Sequence, residues 1–156
     1  MIKKVLLIFG LILAMLFICS SCEQQADMQN LNVESAEYVL KYEVWNQNAQ
    51  YIFVLTPENT ILAQYKDSES NYEDISVELK EKQVSMMKPY VDEILTLSKE
   101  DIIGYFYVTD FWYVKLCFAN KEIWYDYSAS ENASVNLILE EMIRCCDFEN
   151  NKFLLP

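Results

Sequence analysis

The chain has 156 residues, with 24 Asp and Glu against 12 Lys and Arg, and no histidine. Its formal net charge of −12 repels nucleic acid and anionic bilayer surfaces, and without imidazole it lacks the usual neutral-pH base, catalytic zinc ligand and pH switch. Gly10 and Gly104 stand alone, so no glycine-rich phosphate loop can be built, and the length suits one domain.

The amino terminus reads MIKKVLLIFGLILAMLFICSSC. Lys3 and Lys4 form a short positive region, Val5 to Ile18 is almost wholly apolar, and the chain turns polar at Ser20 and Ser21. This is the pattern of a secretory leader, too short with these flanks for a comfortable span. The ending Ile18-Cys19-Ser20-Ser21-Cys22 resembles the lipobox of bacterial lipoprotein precursors. In that class a small residue precedes a Cys that takes a diacylglycerol thioether before the leader is cut off. Ser20 and Ser21 fit the two places before Cys22, while Cys19 departs from the usual Leu or Val. The resemblance implies a signal peptide over 1–21 and lipidation at Cys22. It also implies a lipid-anchored, extracytoplasmic place in a bacterial cell envelope. An ordinary signal peptide cut near Ser21 and an uncleaved anchor are the other readings of these residues. Removing 1–21 takes two lysines and no acid, leaving 24 acidic against 10 basic groups and a net charge of −14. Each buried acyl methylene contributes about 0.8 kcal/mol, so such an anchor holds without a basic patch.

Residues 22–35 are polar and aperiodic, and read as a flexible tether. The domain is expected over 36–147, with 148–156 a tail from which Phe148 could dock back. Alternation of apolar and charged residues from Tyr38 to Trp45 marks a half-buried strand. Tyr51–Leu55 is apolar on both faces and Ile61–Tyr65 follows a Pro57-Glu58-Asn59 turn; an acidic loop 66–74 then leads to Ile75, Val77 and Leu79. Connections this short predict an antiparallel meander. Val84, Met87, Val91 and Ile94 recur at helical spacing, with Pro89 bending or breaking the element. A strand is expected over 102–108 with a bulge at Gly104. A hairpin follows, 111–118 against 122–127. Ser128 and Glu131 have capping-box spacing before a helix carrying Val135, Ile138, Met142 and Cys145 on one face. Strands followed by helix, twice over, predict an α+β fold: an antiparallel sheet of about six to seven strands with two helices packed on one face.

Cys117, Cys145 and Cys146 allow a disulfide from Cys117 to either of the others; the alternative is three buried apolar thiols. The acids between Asp67 and Glu78 alternate as calcium ligands do, but Tyr72 occupies the place where such a loop needs Gly. A solvated loop is the better reading, so no metal or cofactor is expected. Asp110 is the acid most exposed to partial burial, yet no Ser or Cys has a base beside it, and catalysis is the weaker reading. The aromatic excess on the strands carries more. Phe111 and Tyr113 share the second face of one strand, and Trp124 faces outward from its partner between Glu122 and Asp126. Exposed aromatics beside acids suit a protein interface. The expected function is a small acidic lipid-anchored domain that binds another protein, in the manner of an inhibitor or immunity protein. A structural or accessory envelope subunit, a small-ligand carrier and a histidine-free hydrolase are the alternatives.

Overall fold

The computed structural model describes residues 31–70, 72–103, 112–146 and 148. The leader, Cys22, Phe111, Asp110 and the 104–108 part of the expected strand lie outside the described residues. Six strands form one antiparallel sheet: β1 (Leu40–Trp45), β2 (Ala49–Leu55), β3 (Thr60–Asp67), β4 (Tyr72–Glu78), β5 (Tyr113–Phe118) and β6 (Lys121–Asp126). Their order is β4-β3-β2-β1-β5-β6. The meander and the later hairpin are thus joined side by side through β1 and β5. Helices α1 (Glu81–Ile94) and α2 (Ala133–Cys145) cover one face together, so the fold is α+β as expected.

Strand periodicity decides what each face holds. Leu40, Tyr42 and Val44 on β1, Tyr51, Phe53 and Leu55 on β2, and Val114, Leu116 and Phe118 on β5 all point into the helix-side core. Met87, Val91 and Ile94 of α1 and Val135, Ile138, Leu139 and Met142 of α2 close it from above. Pro89 sits inside α1 without ending it. Its ring lies on the exposed side, where a lost ladder bond is open to water. Phe148 is buried and meets the rings of Tyr51, Phe53 and Tyr65 at 5.8, 6.3 and 6.1 Å. The core therefore extends past the expected boundary at 147.

The amino-terminal boundary also moves. The unit holding the sheet begins at Asn32, not at 36. Val33–Ser35 is a 3-10 turn lying on β2 and β3. Val33 is fully buried but stands apart from the helix-side core, and the outward-facing Lys41 donates from Nζ to the Glu34 carbonyl at 3.2 Å. This turn hence shields Ile52 and Val54, the outward apolar residues of β2, which are 3% and 0% exposed. One apolar residue suffices to turn the last part of a polar tether into structure.

Two further expectations are corrected. β4 starts at Tyr72, so Glu73 and Asp74 lie on a strand rather than in a loop. Along β4 the Tyr72 hydroxyl donates to the Asp74 carboxylate at 2.7 Å, and Gln64 Nε2 reaches it from β3 at 3.3 Å, which makes these polar residues compatible with an edge strand. Ser128 does not cap α2. Its N–H and hydroxyl donate to Asp126 Oδ1 at 3.0 and 2.7 Å, and the helix instead begins at Asn132, whose Oδ1 accepts from Val135 N at 3.1 Å.

Candidate functional site

The sheet face away from the helices is divided between two surfaces. Over β2 and β3 it is covered by the 3-10 turn. Over β1, β5 and β6 the even-numbered residues of β1 and β5 point into the core, so Lys41, Glu43 and Trp45 share the outer side with Tyr113, Lys115 and Cys117. Register sets them in rows: Lys41 opposite Cys117, Glu43 opposite Lys115, and Trp45 opposite Tyr113. On β6, Trp124 pairs with Lys115 and Glu122 with Cys117.

Four charges form a chain across the three strands. Lys41 Nζ lies 3.1 Å from Glu43 Oε1, Lys115 Nζ 3.6 Å from the same oxygen, and Lys115 Nζ 3.0 Å from Glu122 Oε1. The Glu122 carboxylate holds the Lys115 ammonium above its ordinary value, against the opposing effect of burial. Two lysines and two glutamates cancel, so this part of a strongly acidic chain is locally neutral. Lys41, Glu43 and Lys115 are mostly shielded (11, 20 and 17% exposed), and within such surroundings the pairs are screened less than on open surface.

Beside this chain of charges stand three aromatic rings. Trp45 stacks on Tyr113 with centroids 5.8 Å apart and meets Trp124 edge-on at 5.4 Å, geometries that aromatic quadrupoles favour. Trp45 and Trp124 are two strands apart, so their rings close over β5. Lys115 Nζ also sits 5.4 Å from the Trp124 ring centroid, a cation–π contact. Despite these neighbours Tyr113 is 51% and Trp124 54% exposed. No known family model matches the chain, and no curated protein matches it in sequence. The site's own chemistry therefore carries the functional reading.

Of the expected face, the structure places Tyr113 and Trp124 together on the outer side and adds Trp45, which the sequence reading left out of the group. Its odd number, shared with Lys41 and Glu43, was the available signal. The Cys117 bridge is corrected. Cys117, Cys145 and Cys146, the cysteines among the described residues, are free; Cys117 lies in the outer row while Cys146 faces the helix-side core, with the sheet between them. Burial pushes the Cys117 thiol up and the Cys146 thiol up to about 12, which disfavours the reactive thiolate. Cys145 is half-buried and contacts Gln83 Nε2 at 3.5 Å and Glu141 Oε1 at 3.8 Å. Among the described residues no group of three or more acids and cysteines is arranged to hold a metal ion. The Asp67 oxygens accept from Glu69 N at 2.9 Å and Tyr65 Oη at 3.0 Å, tying that carboxylate into the β3–β4 turn.

Proposed function

We propose that the protein is a lipid-anchored, extracytoplasmic binding module of a bacterial cell envelope, and that another protein is its partner. The observation that carries the reading is the pair of half-exposed aromatics, Tyr113 and Trp124, on a sheet face that the helices leave open. Large aromatics with a polar tip supply contact area at low conformational cost and are enriched in interface centres. Beside them the Lys115–Glu122 pair, with Glu122 largely exposed, supplies a polar edge, the arrangement in which a central ring contributes most. The lipobox-like ending at Cys22 supports the address.

Trp124→Ala tests the surface. Loss of a ring outside the core is expected to lower the melting temperature little, since the edge contact with Trp45 and the Lys115 contact together contribute about 1–2 kcal/mol. Photocrosslinking from position 113 in the producing cell is expected to yield one dominant protein adduct, and Trp124→Ala to weaken that association by about 2 kcal/mol. A destabilisation of about 3–5 kcal/mol would mark Trp124 as core and end the reading, as would the absence of any adduct. The address is checked by intact mass of the detergent-extracted chain, expected to be that of an acylated chain starting at Cys22. A chain retaining residues 1–21 refutes it.

A further inference from the structure

On the other side of the Trp45–Trp124 pair lies a cleft of about 400 Å³, formed by the β1–β2 turn, the end of β3 and the two indoles. We propose that this cleft is a binding subsite for an uncharged saccharide. The inference stands on residues that the protein-partner reading does not use, apart from Trp124.

The framework of the cleft is held by its own hydrogen bonds. Asn46 Oδ1 accepts from Asn48 N and Ala49 N at 2.8 and 2.9 Å, and Asn46 N donates to the Ala49 carbonyl at 2.9 Å. Ser68 N donates to the Asn48 carbonyl at 2.9 Å, joining the end of β3 to the turn. With the turn fixed in this way, Gln47, Asn48 and Gln50 keep exposed amide side chains on the cleft wall. Each amide both donates and accepts, which is what a ring of hydroxyl groups requires. Trp45 and Trp124 meet at 82°, so they form a corner that offers one ring face beside another's edge. A pyranose matches this combination, having an apolar C–H face and a hydroxyl rim.

Charge selects against the other ligand classes. Glu43 at the cleft is already flanked by Lys41 and Lys115, and Lys66 and Asp67 contribute opposite signs next to each other. Neither a phosphate nor a cationic side chain finds a net attraction here. A wholly apolar ligand would strand the amides without partners.

The test is calorimetric titration of the full chain in detergent with three neutral tetrasaccharides: β-1,4-linked N-acetylglucosamine, β-1,4-linked glucose and α-1,4-linked glucose. Saturable millimolar or tighter binding of at least one is expected. Gln50→Ala and Trp124→Ala should each weaken it about tenfold or more, whereas Leu137→Ala, at an exposed position of α2 outside the cleft, should leave it unchanged. Because Gln50 is an exposed side chain, its replacement tests the cleft without disturbing the core. No saturable binding of any of the three overturns the proposal, and so does binding that survives both cleft substitutions. A Tyr113 crosslink to a protein with no saccharide binding would leave the partner reading standing and refute this one.

Discussion

Tyr42 and Tyr125 show how much depends on a single oxygen. Both rings face the helix-side core and are 0% and 3% exposed, and burial raises the ionisation of both hydroxyls far above the ordinary tyrosine value. Tyr42 Oη donates to the Val135 carbonyl at 3.1 Å, linking β1 to the first turn of α2. Tyr125 Oη is buried and, among the described residues, has no hydrogen-bond partner. A buried hydroxyl that is bonded and one that is not differ in sign when removed. Tyr42→Phe is therefore expected to lower stability by about 1 kcal/mol, and Tyr125→Phe to leave it unchanged or raise it by up to about 1 kcal/mol. Denaturant midpoints of the two variants decide the matter; equal losses would refute the distinction. Alternation in the sequence is enough to turn both rings inward. Which hydroxyl finds an acceptor depends on where α2 comes to rest, and no local pattern encodes that.

At the level of elements, what was legible followed from strict periodicity. The β5–β6 hairpin, the two helical stripes and the four-strand meander all carry a pattern of period two or 3.6 that burial on one side enforces. The hairpin turn was legible in place but not in kind. Ala119 and Asn120 both adopt positive φ, 44° and 62°, joining Phe118 to Lys121 through a two-residue loop whose handedness matches strand twist. Asn accepts this region more readily than Ala, so the tight connection is retained against a local preference. Elements of mixed or polar composition were hidden. Val33–Ser35 has one apolar residue, and the first three residues of β4, Tyr72 to Asp74, include two acids where a strand usually has none. Two acceptors competed for the start of α2, and the spacing of Ser128 and Glu131 could not reveal that Asp126 already engages Ser128. Half of the candidate site was readable for a related reason: Trp124 stands out beside its charged neighbours, whereas the placing of Trp45 against it rests on β1–β5 pairing across a long stretch of chain.

For the whole molecule, the buried acids of high pKa set a direction with pH. Burial raises Cys146 from 9.0 to about 12 and Tyr51 from 10.0 to about 12, and Cys117, Cys145, Tyr42 and Tyr125 shift the same way. The folded chain keeps these protons at a pH where the unfolded chain has released them. Unfolding then releases protons, so the stabilisation they represent is complete below about pH 9 and is lost as pH rises toward 12. The melting temperature is expected to decline from about pH 9 upward, less steeply in Cys146→Ala, and a flat or rising profile through about pH 11 would contradict it. The strand order has another consequence, in mechanics. The first strand among the described residues is not at an edge but inside the sheet, bonded to β2 on one side and β5 on the other. A load entering from the amino-terminal side meets the Val33–Ser35 turn and then β1, where two ladders share it. Peeling that strand away would require both rows of backbone bonds to yield together, so a pull from this side acts on a central strand and not on an edge.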